Sequence, residues 1–127
     1  MDKMEKISTL KSPAAIGPYS QAIKTGNLIF TSGQIPFTAE GKLVSADVKE
    51  QTFQSLQNLK NILEKAGTGM DNIIKCTVFI SDMDQFAQVN EVYQQFFNEP
   101  YPARSCVEVA RLPKDVKVEI EAIALAD

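Results

Sequence analysis

The sequence contains no histidine, and its two cysteines, Cys76 and Cys106, lie far apart. Because histidine is the commonest general base in enzymes, its absence excludes Ser-His and Cys-His nucleophilic schemes. The lack of histidine and of a CxxC pair also argues against structural zinc, and we expect no metal. Acid–base chemistry must therefore use Asp, Glu, Lys, Tyr, Cys or a bound water. One disulfide between the cysteines is conceivable, but a cytosolic chain of this size does not need it.

Long apolar runs are absent as well. No stretch approaches the roughly 18 consecutive apolar residues of a membrane span. Residues 1–11 alternate charged and apolar residues, which is unlike the apolar run of a secretory signal. We therefore expect a cytoplasmic protein.

A surplus of basic residues is also missing. Thirteen Lys and Arg stand against 16 Asp and Glu, which gives a net charge of −3. The basic residues are scattered and usually stand beside acidic ones. A domain that binds nucleic acid usually shows a basic surplus or stripe, so we do not expect a nucleic-acid partner.

The 127 residues show no internal repeat, low-complexity tract or linker, so we predict a single domain over residues 1–127. Apolar and β-branched runs predict strands at residues 4–9, 21–24, 28–32, 73–80, 104–109 and 116–125. The second and third strands flank Thr25-Gly26-Asn27 and predict a hairpin. Residues 12–18 and 33–41 hold prolines and glycines and are predicted to be loops.

The first predicted helix spans residues 47–66, where apolar residues recur at spacings of three and four. Its apolar stripe consists of Phe53, Leu56, Leu59, Leu63 and Ala66. Asp47 and Glu50 resemble a capping box, and Gly67 suits a C-terminal cap.

The second predicted helix begins at Ser81 and Asp84 and ends before Pro100. Its apolar stripe consists of Phe86, Val89, Tyr93, Phe96 and Phe97. The resulting order β-β-β-α-β-α-β-β is typical of an α+β fold, with one mixed β-sheet and two helices packed on one face. Because two helices cover only one side of a sheet, the other side should be polar or buried by another subunit.

The last two strands indicate what the uncovered face contains. By alternation, Arg104, Cys106 and Glu108 share one face of the fifth strand. One face of the sixth strand is apolar, and the other carries Lys117, Glu119, Glu121, Ile123 and Leu125. We interpret the arginine, thiol and carboxylates as lying on one face, which suits a subunit interface with a polar pocket. A solvated face with salt bridges fits the pattern equally well.

Arg104, Glu119 and Cys106 could carry chemistry, and each has an ordinary alternative. Arg104 opens a strand, and a guanidinium is the usual bidentate clamp for a carboxylate, although an arbitrary arginine more often lies at the surface. Glu119 stands mid-strand, where glutamate is disfavoured, but a cross-strand partner for Lys or Arg explains it equally well. Nothing in the chain activates Cys106 as a nucleophile, so a small packed residue is the better interpretation.

Four further residues could line a pocket. Tyr19 lies in a rigid Gly-Pro-Tyr-Ser loop, though most such tyrosines simply pack. Ser32 and Gly33 end a strand, where a glycine lets backbone come close to a ligand, though an ordinary turn has the same pattern. Asn90 lies on the second predicted helix and is by default a solvated polar residue.

Five segments together carry a family resemblance: residues 15–21 (AIGPYSQ), 31–36 (TSGQIP), 89–93 (VNEVY), 102–115 (PARSCVEVARLPKD) and 118–123 (VEIEAI). The Pro-Ala-Arg-Ser-Cys part is the most specific of them. Through these segments the chain resembles the RidA (YjgF-like) family of reactive intermediate deaminases, from about Ser12 to Ala126.

This resemblance implies a chorismate-mutase-like fold and a homotrimer with sites in the clefts between subunits. It implies hydrolysis of 2-aminoacrylate or 2-aminocrotonate, through their imines, to the 2-keto acid and ammonia, the activity of a 2-iminobutanoate/2-iminopropanoate deaminase. Pyridoxal-phosphate dehydratases release those intermediates, but the family hydrolase needs no cofactor.

The resemblance also implies residue roles. Arg104 matches the family arginine that binds the substrate carboxylate, and Glu119 matches the glutamate that positions the attacking water. Other pocket positions are matched by Tyr19, Ser32, Gly33, Asn90 and Cys106. Some relatives lack the arginine, which this chain has.

Two alternatives remain. One is a regulatory or ligand-binding module of the same fold, because members of this family have been credited with translation inhibition, ribonuclease activity, chaperone-like holding and purine regulation. The acidic balance and missing histidine argue against a ribonuclease. The other is a chorismate mutase, which should need a second arginine beside Arg104, whereas Arg111 falls near a loop.

Overall fold

The computed structural model describes residues 3–127, so residues 1 and 2 of the predicted 1–127 domain lie outside the described residues. Within residues 3–127 the strands and α-helices are, in chain order, β1 (Glu5–Ile7), β2 (Ala22–Thr25), β3 (Leu28–Thr31), α1 (Val48–Lys65), β4 (Ile73–Ile80), α2 (Phe86–Tyr93), β5 (Ala103–Glu108) and β6 (Val118–Leu125). The predicted order of elements is confirmed, and most boundaries differ from the predicted ones by one or two residues.

The strands form one six-stranded sheet in the order β1-β2-β3-β6-β4-β5. All neighbouring strands are antiparallel except β4 and β5, which are parallel, so the sheet is mixed. Residues of α1 and α2 form one hydrophobic core with alternate residues of the strands. The predicted α+β fold, with one mixed sheet and two helices on one face, is confirmed.

Both ends of α1 are set by local hydrogen bonds. The Asp47 carboxylate accepts from the backbone N–H of Glu50 at 2.9 Å, which confirms the N-terminal cap. The reciprocal half of the predicted capping box is wrong, because the N–H of Asp47 donates to the Ser45 hydroxyl instead, at 3.0 Å. Gly67 adopts φ +88°, and the N–H of Thr68 reaches the carbonyl of Leu63 at 3.0 Å, which closes the helix as a Schellman cap.

The predicted apolar stripe of α1 is correct at its centre and wrong at Phe53. Leu56, Leu59 and Leu63 are fully buried, whereas Phe53 is 48 % exposed and packs beside Phe96. The buried arc of α1 instead includes four polar residues, Gln51, Thr52, Ser55 and Asn58. Two of these, Gln51 and Asn58, bind the backbone of adjacent loops, and this polar use of the buried face displaces Phe53 to its edge.

The second helix exists where it was predicted but begins later. A 3-10 turn, Met83–Gln85, precedes α2, and Asp82 rather than Ser81 caps that turn by accepting from the N–H of Asp84 at 2.9 Å. A second 3-10 turn, Gln94–Phe96, follows α2 before Pro100. Of the predicted stripe, Val89, Tyr93 and Phe97 are buried, and Phe86 and Phe96 are partly buried.

The register of β4 with β5 and β6 determines on which face of the sheet Arg104, Cys106 and Glu119 lie. In β6, Val118, Ile120, Ala122 and Ala124 are buried and alternate with half-buried residues, as predicted. In the parallel pair, Arg104 lies beside Cys76 and Cys106 beside Val78, and both β4 residues are buried in the core. Arg104 and Cys106 therefore belong to the helix-covered face.

The expectation that Arg104 and Cys106 share a face with Glu119 is consequently wrong. Glu119 lies opposite Phe79 of β4, on the face that the helices do not cover. Alternation along a strand shows which residues share a face, but the direction of that face depends on long-range pairing. The uncovered face does mix apolar and charged groups, because Phe30 and Val107, each 42 % exposed, share it with Glu119 and Glu121.

Candidate active site

The predicted site residues form two groups, and the strand residues of the two groups lie on opposite faces of the sheet. The first, which we call the carboxylate group, consists of Tyr19, Ser32, Gly33 and Glu119. The second, the guanidinium group, consists of Asn90, Arg104 and Cys106.

The carboxylate group centres on the contact between Glu119 and Gly33. A Cβ atom at Gly33 would lie 2.3 Å from Oε2 of Glu119 and 2.9 Å from its Cδ, so a residue with a Cβ fits here only if the Glu119 side chain moves. The next residue, Gln34, exchanges backbone hydrogen bonds with Ile120 at 2.8 and 3.2 Å. The group that comes close to this glycine is a side chain of the same chain, and the close approach of a ligand stays a prediction.

The electrostatic surroundings of Glu119 favour a proton-exchanging carboxyl. Partial burial raises the pKa of Glu119, and the negative charge of Glu121, two residues along the same strand face, raises this pKa further. Within residues 3–127 no side chain donates a hydrogen bond to the Glu119 carboxylate or forms an ion pair with it. Its oxygens are therefore available to a water or a ligand.

Ser32 ties the Tyr19 loop to the same place. The Ser32 hydroxyl donates to the carbonyl of Ser20 at 2.6 Å, and the Ser32 N–H donates to the carbonyl of Gln21 at 2.9 Å. Tyr19, the residue before Ser20, is 52 % exposed, so its side chain lies partly at the surface. Ser32, the residue before Gly33, thus holds the residue that follows Tyr19, and the assignment of Tyr19 and Ser32 to a pocket stays a prediction.

The guanidinium group is built from β5 and α2. Nη1 of Arg104 donates to Oδ1 of Asn90 at 2.7 Å. The guanidinium carbon lies 4.7 Å from the ring centre of Tyr93 and 5.3 Å from that of Phe86, both within cation–π range. Phe86, Asn90 and Tyr93 follow the spacing of four and three that places residues on one helix face, so α2 holds the arginine with three side chains.

Sequence reasoning missed the roles of Phe86 and Tyr93. Both were assigned to the apolar stripe of the second helix, because aromatic residues at helical spacing usually pack in a core. Their spacing from Asn90 was the available signal. Arg104 itself remains exposed, and within the described residues no acidic side chain pairs with it. It is therefore a held cation with donors left for an anion.

The thiols beside Arg104 are poor nucleophiles. Both cysteines are free, so the disulfide that we considered is not formed. Burial raises the pKa of the Cys106 thiol, and the charge of Arg104 offsets this only in part. Burial also raises the pKa of Cys76 to about 11. Because the thiolate is the reactive form, the interpretation of Cys106 as a packed residue is favoured.

A single chain does not bring Arg104 and Glu119 together. Glu119 lies on β6 on the uncovered face, Arg104 lies on the edge strand β5 on the helix-covered face, and β4 runs between these strands. A surface groove of about 810 Å³ lies elsewhere, between α1 and the Met70–Asn72 turn, and holds neither residue.

Residues 3–127 contain neither a candidate metal site nor a helix that could cross a membrane. Among residues 3–127 no three His, Cys, Asp or Glu side chains are grouped closely enough to bind a metal ion. In the same part of the chain, no helix has the length and apolar character that crossing a membrane would require.

Known proteins resemble this chain over nearly its whole length. A family model described as Endoribonuclease L-PSP matches residues 9–126. The 2-iminobutanoate/2-iminopropanoate deaminase of Escherichia coli K12 is 57 % identical over 122 residues, which cover 94 % of this chain and 95 % of that protein. A RutC family protein of Pyrococcus abyssi is 54 % identical over 121 residues, covering 94 % and 95 %.

A solved structure shows the same fold. The crystal structure of Escherichia coli TdcF with bound serine superimposes with a TM-score of 0.90 at 52 % sequence identity. The match covers 95 % of this chain and 98 % of that one.

Proposed function

Because the chain belongs to the RidA (YjgF-like) family, we propose that it is a 2-iminobutanoate/2-iminopropanoate deaminase. It hydrolyses enamine and imine intermediates released by pyridoxal-phosphate dehydratases to 2-keto acids and ammonia, and needs no cofactor of its own. The observation that carries this proposal is the presence of two complementary groups: an exposed arginine that forms no ion pair with a carboxylate of residues 3–127, and a carboxyl group whose pKa is raised. The E. coli relative of that name supplies the substrate class.

Arg104 is the proposed anchor of the substrate carboxylate. Asn90 uses one guanidinium nitrogen, and the rings of Tyr93 and Phe86 support the guanidinium group, so the remaining N–H groups can bind a carboxylate in a fork. A 2-imino acid is small, and its carboxylate is its strongest handle. The related TdcF was solved with serine bound, and serine is likewise a small molecule with a carboxylate.

Glu119 is the proposed base. An enamine first becomes an imine by gaining a proton at C3 and losing one from nitrogen. Glu119 then accepts a proton from a water whose oxygen attacks C2, and the nitrogen gains a proton. The carbinolamine nitrogen then takes up a second proton and leaves as ammonia when the C–N bond breaks, while the hydroxyl proton passes to the Glu119 carboxylate as the C=O bond forms. A raised pKa makes the Glu119 carboxylate a stronger proton acceptor than an ordinary glutamate.

The complete site is proposed to lie between two copies in a homotrimer. One copy provides the guanidinium group and its neighbour provides the carboxylate group, since one chain holds them on opposite faces. The apolar side chains exposed on the uncovered face, Phe30 and Val107, give a second copy a surface to bury. Light scattering at micromolar concentration should give three chain masses. A stable monomer with full activity would contradict both the assembly and the shared site.

The decisive assay for the activity couples a serine or threonine dehydratase to this protein. Freshly released imine hydrolyses slowly in water, and adding the protein should accelerate keto-acid and ammonia release. Semicarbazide trapping of the imine should fall in parallel. If the wild-type trimer leaves both rates unchanged, the chain is a binding or regulatory module and not a deaminase.

A chorismate mutase on this fold is not favoured. That reaction moves a dianion and should need a second arginine near Arg104. Arg111, the other arginine of the chain, is held by the Asp115 carboxylate at 2.7 and 3.2 Å on an exposed loop.

A further inference from the structure

Asn58, a fully buried residue of α1, belongs to neither site group but binds the backbone near one of them. Its Nδ2 donates to the carbonyl of Ile35 at 3.2 Å and to that of Phe37 at 2.9 Å. Its Oδ1 accepts from Nε2 of Gln54 at 2.9 Å. Both amide protons are used, and both hold one loop. A buried amide in a helix is costly unless it is satisfied in this way, so these bonds account for asparagine at this position.

The two carbonyls belong to the segment that supports Glu119. Gly33 lies directly beneath the Glu119 carboxylate, and Gln34 pairs with Ile120, the residue after Glu119. Ile35 is the next residue, so Asn58 binds the segment directly after the paired residues Gln34 and Ile120. The segment 33–37 is therefore fixed on one side by β6 and on the other by α1. The position of Gly33 against Glu119 depends on both attachments.

The loop that carries Tyr19 is attached to the same helical turn. The Ser12 hydroxyl, which is buried, donates to the backbone carbonyl of Asn58 at 2.9 Å. Ser12 begins the irregular stretch that leads to Tyr19, and Ser20 at its far end is bound by Ser32. One turn of α1 thus anchors both irregular segments of the carboxylate group.

We propose that Asn58 is a positioning residue for Glu119, acting through the backbone of segment 33–37. The inference rests on the proposed function, because it concerns the base of that reaction. Asn58 itself touches no reacting atom. It keeps Gly33 pressed against the carboxylate, which limits the water around Glu119 and fixes the direction of its oxygens.

The surroundings of Glu119 make this effect measurable as a change in its titration. Two charged residues alternate onto the same face as Glu119: Lys117, just before β6, and Glu121 in β6. Nζ of Lys117 donates to the carbonyl of Ala46 at 2.6 Å, and Glu121 is the residue whose charge raises the pKa of Glu119. The flanking segment and β4 present Gly33 and Phe79, which carry no charge. In the proposed trimer a neighbour's Arg104 would act equally in wild type and variant. If the segment loosens, water reaches the carboxylate and its pKa falls toward that of an ordinary glutamate.

The test compares Asn58→Ala with Asn61→Ala in the full-length trimer. Asn61 lies on the same helix, and its Nδ2 also binds a backbone carbonyl, that of Lys11 at 3.0 Å, but not one of segment 33–37. The readouts are kcat and KM for imine hydrolysis and the titration of the Glu119 side chain by carbon-13 NMR, assigned with Glu119→Gln. Asn58→Ser serves if Asn58→Ala does not fold.

We expect Asn58→Ala to lower kcat by about 10–100-fold with KM little changed, since a displacement of about 1 Å has such effects. The Glu119 midpoint should fall, and Asn61→Ala should match wild type in both readouts. A folded Asn58 variant with wild-type kcat and midpoint would overturn the proposal. Failure of both Asn58 variants to fold would do so too, because Asn58 would then serve the whole fold. If the wild type hydrolyses no imine, the proposed function fails, and the NMR titration alone still decides the role of Asn58.

Discussion

Replacing Gly33 by alanine tests the carboxylate group without removing a functional group. The new Cβ would lie 2.3 Å from Oε2 of Glu119, whereas ordinary contacts begin near 3.4 Å, so the carboxylate must move by about 1 Å. The Cγ of Glu119, at 3.0 Å, is crowded as well, so turning the terminal carboxylate alone does not relieve the contact. The whole side chain must adopt another position.

The fold should tolerate this change. The obstructing atoms belong to a side chain and not to backbone, and the φ of Gly33 lies outside the left-handed region. Moving Glu119 off its preferred rotamer costs about 0.5–1.5 kcal/mol. The alanine also lowers the entropy of the unfolded chain, which stabilises the fold by about 0.4–1 kcal/mol. These effects nearly offset each other, so the melting temperature should change little.

The activity should respond strongly. Displacing the base by about 1 Å costs about 100-fold, within the range of about 10²–10⁴-fold expected for losing positioned acid–base help. The assay is keto-acid release from dehydratase-generated imine, with circular dichroism and light scattering as controls. Gly69→Ala is the matched control, because a Cβ there meets nothing within 4 Å. A folded, trimeric Gly33→Ala that keeps nearly wild-type kcat would refute the placement of the base on Gly33.

Three further outcomes follow from the same geometry. Arg104→Ala should abolish measurable imine hydrolysis in a folded trimer, because losing one partner of a forked ion pair costs about 2–5 kcal/mol. Arg104→Lys should also hydrolyse imine poorly, and a rate near that of the wild type in either variant would contradict the carboxylate clamp. Cys106→Ala should keep substantial activity, since burial raises the pKa of this thiol; a trapped covalent adduct would overturn that expectation. The acid limb of the kcat–pH profile should lie above the ordinary glutamate pKa of about 4.3, because only the carboxylate form of Glu119 accepts a proton and its pKa is raised. Glu121→Gln should move that limb to lower pH, because it removes a like charge near Glu119. If the limb does not move, it does not report the ionisation of Glu119.

Local patterns predicted the elements and the faces of β6. The spacing of Leu56, Leu59 and Leu63 located α1, and alternation from Val118 to Leu125 separated buried from half-buried residues. Both signals act within a few residues, so the sequence carries them directly. The sheet face on which Arg104 and Cys106 of β5 lie could not be predicted in this way, because it depends on the parallel pairing of Arg104 with Cys76.

The candidate site could be predicted less well than the fold from the sequence alone. Its members were singled out as weak individual candidates and joined only by a family resemblance. The spacing of Phe86 and Tyr93 predicted core residues. Asn58 gave no signal, because a polar residue on a helix usually faces water. Its importance depends on two carbonyls more than twenty residues away in sequence. Such long-range hydrogen bonds have no local pattern.

The central claim is that Arg104 of one copy and Glu119 of another form one imine-hydrolysing site. Mixing Arg104→Ala chains with Glu119→Gln chains, by unfolding and refolding them together, tests it most directly. Each variant alone should be inactive or nearly so, whereas equal mixing should restore about a quarter of the wild-type sites, since each site draws its two halves from independent copies. Mixed trimers, verified by mass spectrometry, that release no more keto acid than the separate variants would contradict the shared site.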